Sequence, residues 1–345
     1  MTESVGEQKA FEERLRRQIE AYHEAALLYA AVKLGLPDRM AARPWTPEQL
    51  AEALGLSAPH LVRFLRGFCT IGMCEERSDG SFALSPAGRS LTSDSPSRLA
   101  EKVQIVVEQY WQPWADLVSC LKSGKPAFEH VFGMSVFEWR DLNKEQGKLF
   151  ASYLTGETFD QAGSIIEVLE SAVEAKRVAD IGGGCGALLA ALLIAHPHLT
   201  GVLFDRPHLI EMAKPFLKVF GLFHLTDRIA LVAGDVLAAI PVRADLYLLK
   251  GVLQQWDDAH ARAILANCRK AMPEGAKLVI VERLLPERAT DDPAAIMLDL
   301  HMMTITGGRA RSLEQFEQLL SEAGLAVAKV TSTPTGLTII EAMCD

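Results

Sequence analysis

Residues 178–205 read VADIGGGCGALLAALLIAHPHLTGVLFD, and the rest of the chain can be worked outward from this stretch. It reads as an apolar strand, a glycine-rich turn, an apolar helix and a second strand that ends in an acid. Gly182, Gly183, Gly184 and Gly186 carry no Cβ, so backbone amides can close on a ligand and the helix can start against the strand. Asp205 stands at the tip of the second strand, where a carboxylate can accept both hydroxyls of a ribose. The pattern implies a nucleoside-bearing cofactor.

Two cofactors fit the turn. Gly182, Gly184 and Ala187 satisfy the dinucleotide pattern G-x-G-x-x-A, which keeps NAD open. Two acids favour S-adenosylmethionine instead. Asp180 stands just before the glycines, where it would repel a pyrophosphate but hold the ammonium of a methionine moiety. The next strand, IALVAGD, ends in Asp235, placed to accept a hydrogen bond from an adenine amine.

Beyond residue 166, strands are expected near 177–181, 201–205, 229–233, 244–250, 277–283, 326–331 and 337–343, with helices between them. That alternation predicts an α/β domain built on a mostly parallel, doubly wound sheet, with ligands beyond the carboxyl ends of its strands. Residues 101–165 read as a helical, aromatic-rich segment that could line an apolar pocket. Residues 1–100 read as a winged helix. TPEQLAEALGL opens with a capping-box start at Thr46, SAPHLVRFLRGFCTIGMCEE supplies a second helix, and DGSFALSPAGRSL supplies a small hairpin.

Composition narrows the partners. The 345 residues are 49% apolar, with a formal net charge of −9 that argues against nucleic acid, whose binding depends on neutralised phosphates. The presumed recognition helix offers only Arg63 and Arg66 and is otherwise apolar, so packing and dimerisation is the reading for that module. No apolar run approaches the roughly 20 residues that cross a bilayer. The opening residues MTESVGEQKAFEER lack the order of a signal peptide, so residence in the cytoplasm is expected. Cysteines 69, 74, 120, 185, 268 and 344 form no C-x-x-C, and no metal site is expected; Cys185 reads as a small turn residue.

In this order, ADIGGGCGALLAALL, FDRP, AGDVL, YLLKGVLQQWDD, VIVERLLP and ITGGRARS resemble the winged-helix O-methyltransferases of plant phenolic and bacterial polyketide metabolism. The likeness covers nearly the whole chain. It implies a class I methyltransferase Rossmann-like sheet, a homodimerising N-terminal domain and S-adenosylmethionine as cofactor. Gly182, Gly184 and Gly186 would line the methionine end of that cofactor, Asp205 the ribose, and Asp235 with Val236 the adenine. Lys250 would sit close to it and Trp256 would flank the adenine. At position 206 the family favours leucine, and Arg206 reads as an ordinary surface residue.

Two departures bear on catalysis. The family's general base is a histidine two residues before the tryptophan, and that position is Gln254, whose amide cannot take a proton from a phenol near neutral pH. Of the two carboxylates that brace the histidine, one matches Glu282 and the other is replaced by Ala310. Positioned base catalysis contributes roughly 10²–10⁴-fold, whereas holding a nucleophile against the methyl supplies about 7–11 kcal/mol. Methyl transfer to a small aromatic acceptor is therefore expected to survive, with acidic hydroxyls or amines favoured over plain phenols. N- or C-methylation, or a non-methylating use of the bound sulfonium, are the alternatives. His301, in MLDLHMMTITGG, is the candidate surrogate base or hydrogen-bond partner; Met302 is expected against the acceptor ring, and His130 is the second candidate for substrate contact.

Overall fold

The computed structural model describes residues 2–169, 171–219 and 223–344. They form two compact units, Met1–Trp111 and Gln112–Asp345. In the first unit, helices Pro47–Leu54 and Ala58–Thr70 precede a hairpin of β1 (Cys74–Glu76) and β2 (Phe82–Leu84). Thr46 closes the expected capping box: its hydroxyl accepts the Gln49 N–H, and the Gln49 side chain accepts the Thr46 N–H. Leu50, Leu61, Leu65, Phe68 and Phe82 fill the core beneath the hairpin. Arg66, one of two cations a DNA-reading helix could use, is paired to Glu76 of β1 through both Nε and Nη2. On helix Thr2–Glu20, Phe11, Leu15 and Ile19 recur every fourth residue and stay exposed as one apolar stripe.

The second unit holds the sheet. Its strands are β3 (Arg177–Ile181), β4 (Thr200–Asp205), β5 (Ile229–Ala233), β6 (Leu246–Lys250), β7 (Lys277–Glu282), β8 (Leu325–Ser332) and β9 (Thr338–Cys344). They lie in the order β5-β4-β3-β6-β7-β9-β8. The first five pair in parallel, and β9 runs antiparallel between β7 and β8. The sequence places all seven strands to within two residues at each end.

The strands are apolar on both faces, as a sheet covered on both sides requires. Val178, Leu203, Leu246, Leu248 and Val279 face one cluster, which helices Lys144–Val168, Ala187–Ala195 and Pro207–Val219 complete. Ala179, Val202, Phe204, Tyr247, Leu249 and Ile280 face the other, completed by Asp258–Ala271 and Leu313–Glu322. Parallel pairing sends the carboxyl ends of β3 to β7 to the same edge, so Ile181, Asp205, Ala233, Lys250 and Glu282 mark one rim. Among the described residues no helix is long and apolar enough to cross a membrane.

Candidate active site

At the centre of that rim the chain leaves β3 through Gly182, whose φ of +69° only glycine adopts without strain. A Cβ there would stand 2.8 Å from a Val252 methyl, so the residue type is fixed twice over. Asp205 at the tip of β4 folds back on this turn: its Oδ2 accepts the Gly184 N–H at 2.7 Å and its Oδ1 the Arg206 N–H at 2.6 Å. Each carboxylate oxygen has a second lone pair left for a ligand hydroxyl. Asp180, one strand over, is buried and its Oδ2 has no hydrogen-bond partner among the described residues.

Burial dominates the electrostatics. It raises the Asp180 carboxyl to about 7, with repulsion from Asp205 adding to the effect, and the Asp205 carboxyl to about 6. Lys250, at the tip of β6, is pulled the other way by burial, against the attraction of Glu157 and Asp180. Its Nζ donates to Thr158 Oγ1 at 3.2 Å, from the long helix Lys144–Val168. A buried carboxylate oxygen without a partner, next to a second acid and a glycine turn, matches a ligand that brings an ammonium and ribose hydroxyls. These residues fit S-adenosylmethionine and offer no cradle of cations for a pyrophosphate.

The remaining positions expected at the cofactor lie around this centre. Gly186 opens helix Ala187–Ala195. Asp235 is exposed beyond β5 and its Oδ1 accepts the Leu237 N–H at 2.9 Å. The Val236 carbonyl is held by Asn267 Nδ2 at 2.8 Å. The Trp256 ring stacks on Phe137 at 5.0 Å and 14°, and His260 lies against it at 5.4 Å. Cys185 is buried and its thiol is pushed up to about 11, as an inert turn residue would be.

Gln254 sits on the turn Leu253–Gln255 just past β6. Its backbone N–H donates to Glu282 Oε1 at 3.0 Å. The other oxygen, Glu282 Oε2, is buried without a hydrogen-bond partner among the described residues, and burial raises this carboxyl to about 7 despite the nearby Arg311. The fully buried Arg311 guanidinium braces the turn from outside, donating to the Leu253 and Trp256 carbonyls and to Asp258 Oδ1. Gly308 packs so closely on the turn that a Cβ would lie 2.2 Å from the Gln254 carbonyl oxygen. Two residues on, the Ala310 N–H donates to Asp299 Oδ1 at 2.8 Å. A carboxylate from helix Pro293–Ile305 thus meets the segment where the resemblance leads one to expect a second acid.

That helix also carries His301 and Met302 and packs against the Gln254 turn. Met302 is buried. Trp114 Nε1 donates to His301 Nδ1 at 3.2 Å, and the two rings stack at 6.2 Å. An indole nitrogen only donates, so the Nδ1 lone pair is used and the neutral ring carries its proton on Nε2. His301 is therefore placed as a hydrogen-bond donor, and the arrangement speaks against the surrogate-base role. His130 is not part of this cluster. Its side chain is two-thirds exposed, 2.5 Å from Asp116 Oδ2, in a surface hollow of about 430 Å³.

The sequence reading also misjudged Arg206. It is only one-third exposed, is ion-paired to Asp141 and has its guanidinium 5.9 Å over the Phe137 ring. From sequence Trp114 and Phe137 are only members of an aromatic-rich segment, and Thr158, Asp141 and Asp299 carry no signal, because helices far apart in sequence deliver them and no spacing pattern links them to the strand tips. Among the described residues no group of three or more His, Cys, Asp or Glu is placed to hold a metal.

Comparison with known proteins agrees with this geometry. Residues 114–326 match the O-methyltransferase domain and residues 17–94 the O-methyltransferase dimerisation domain. The phenazine O-methyltransferase PhzM of Lysobacter antibioticus is 36% identical over 329 residues, 95% of each chain. The O-demethylpuromycin-O-methyltransferase of Streptomyces alboniger is 34% identical over 330 residues, 95% of this chain and 87% of that one. The crystal structure of LaPhzM superposes with a TM-score of 0.92 at 35% identity, covering 97% of this chain and 99% of the other. With the site built for its cofactor, the chain belongs to the S-adenosylmethionine-dependent O-methyltransferases that join a dimerisation domain to a class I methyltransferase sheet.

Proposed function

We propose that this chain, as a homodimer, methylates a hydroxyl of a small aromatic or polyketide-like secondary metabolite, with Gln254 orienting the acceptor and Glu282 taking its proton. The names of the similar relatives support the acceptor class. The observation that carries the mechanism is the buried Glu282 carboxylate, with one oxygen held by the Gln254 N–H and the other unpartnered. When bound, S-adenosylmethionine supplies a sulfonium methyl whose sulfur leaves with the bonding electron pair as S-adenosylhomocysteine. Asp180, Asp205 and Lys250 would hold that group at the rim. Gln254 presents an amide that can donate to and accept from the acceptor hydroxyl. His301, tautomerically set by Trp114, donates a second hydrogen bond, and Met302 supports the ring. Glu282 would take the proton that the acceptor hydroxyl gives up on methylation.

The acceptor's acidity then sets the rate. Moving a proton from a phenol of pKa about 10 to a carboxylate near 7 is uphill by about 4 kcal/mol, while an acidic hydroxyl near 7 transfers it at no cost. With a panel of hydroxylated aromatics, release of S-adenosylhomocysteine is expected to rise as hydroxyl pKa falls. Gln254→His is expected to speed the weakly acidic phenols by roughly 10–100-fold and the acidic ones little. A wild-type enzyme that binds the cofactor yet releases no S-adenosylhomocysteine with any oxygen, nitrogen or carbon acceptor would move the reading to one in which the bound sulfonium is only a fixed charge.

The homodimer is supported by the dimerisation-domain match and by the exposed stripe of Phe11, Leu15 and Ile19. Sedimentation velocity is expected to give a dimer for the wild type and a shift to monomer for Ile19→Asp. A monomeric wild type at micromolar concentration would refute it.

A further inference from the structure

Helix Val136–Leu142 begins in a capping box in which the Ser135 hydroxyl accepts the Glu138 N–H and Glu138 accepts the Ser135 N–H. Phe137 and Asp141 are one turn apart and share a face. They reach two different strand ends. Phe137 stacks on Trp256, six residues past the tip of β6. Asp141 Oδ2 receives the guanidinium of Arg206, the first residue past β4. Its Oδ1 is buried 3.2 Å from His208 Nδ1 but accepts no hydrogen bond among the described residues.

In the sheet, β4 and β6 flank β3. Strands lie about 4.8 Å apart, so these two tips are separated by roughly 10 Å. Phe137 and Asp141 stand about 6 Å apart along the helix axis, and the side chains of Trp256 and Arg206 make up the rest. The helix therefore bridges the crevice past β3, where the glycine turn lies between Asp205 and Trp256. Arg206 ties it to the cofactor groups directly, since its own N–H donates to Asp205 Oδ1.

We propose that Arg206 and Asp141 latch helix Val136–Leu142 across the adenosyl end of the cofactor site and set the rate at which S-adenosylhomocysteine leaves. The inference rests on Asp205 and Trp256 being the ribose and adenine residues, as read above. Arg206 and Asp141 are positioning residues: they act on the ligand through Phe137 and the backbone beside Asp205. A charge-assisted pair at about one-third exposure gives the helix a directed hold, and that exposure keeps the bond breakable.

The test is the dissociation rate of S-adenosylhomocysteine, followed by stopped-flow tryptophan fluorescence on the full-length protein, with Trp256 as the nearest reporter. Arg206→Leu and Asp141→Asn are each expected to release the ligand roughly three- to tenfold faster. The double variant is expected to match the singles, because both remove one interaction. The charge swap Arg206→Asp with Asp141→Arg is expected to restore part of the slow release, which a merely structural role for either side chain would not produce. Wild-type binding with unchanged release in both single variants, or additive effects in the double, overturns the latch alone. A wild-type protein that binds no S-adenosylhomocysteine overturns the reading of the site as well. Thermal unfolding of each variant separates a lost latch from a lost fold.

Discussion

Asp205→Ala is expected to weaken S-adenosylhomocysteine binding by about 10²–10⁴-fold in titration calorimetry. A hydrogen bond to a charged group is worth about 1.5–3 kcal/mol, two of them to a ribose about 3–6, and each 1.4 kcal/mol is a factor of ten. The substitution also frees the Gly184 and Arg206 N–H groups that the carboxylate now gathers, so the glycine turn loses its brace. Asp205→Asn keeps acceptor oxygen but loses the charge and should fall between. Affinity is expected to depend on pH as well. Burial holds Asp205 at about 6 and Asp180 at about 7, and the ligand's ammonium and hydroxyls need the ionised forms. Binding should therefore weaken as pH falls from about 7.5 to 5.5. Both folded values lie above the ordinary 3.8, so the stability these groups contribute is full below that value and lost as pH rises through 6 and 7. The ligand reverses that loss, and its thermal shift should grow over the same interval. Alanine at 205 with near-wild-type affinity would remove Asp205 from the site.

Glu282→Gln is expected to lower kcat by about 10²–10³-fold with S-adenosylhomocysteine affinity within threefold of wild type. The amide keeps an oxygen for the Gln254 N–H, so the turn stays in place and only the proton acceptor is lost. The wild-type rate should climb with pH through about 7, as the buried carboxyl ionises, and the variant should show no such limb. The Arg311 guanidinium, itself bonded to Asp258, draws the carboxyl down against burial. The stability prediction has the opposite sign. The folded Glu282 value is raised from 4.5, so the stability the carboxyl contributes is lost as pH rises through 7. Above that pH the variant should be more stable than wild type by on the order of a few kcal/mol, and so unfold at a higher temperature. Lower activity in a more stable protein is the mark of a strained, functional acid. An unchanged pH profile in Glu282→Gln would assign Glu282 to holding the turn and nothing more.

Much of the site was legible because the strand tips are a local property. A parallel strand announces itself as a short apolar run, and the residue after the run falls at the carboxyl rim whatever the rest of the chain does. Asp180 and Asp205 could therefore be named from the pattern, Lys250 and Glu282 through the resemblance, and the structure sets all four at one edge. Gln254 was visible through the resemblance alone, as the residue that stands where the family has its base. Arg206 shows the limit. From sequence it is one cation after a strand; its meaning depends on Asp141, 65 positions earlier, on a helix that no periodicity ties to β4.

His301 marks the same boundary from the chemical side. Its place on a pocket-lining helix could be expected from the segment around it, but whether its ring takes or gives a proton is decided by Trp114, 187 residues away. The order of strands, the glycine turn and the acids at its rim are written in consecutive residues, since backbone pairing and apolar burial respond to local pattern. Proton placement and the hold of helix Val136–Leu142 were settled only in three dimensions. Hydrogen bonds and ion pairs act over a few ångströms, and only the folded chain brings those side chains that close.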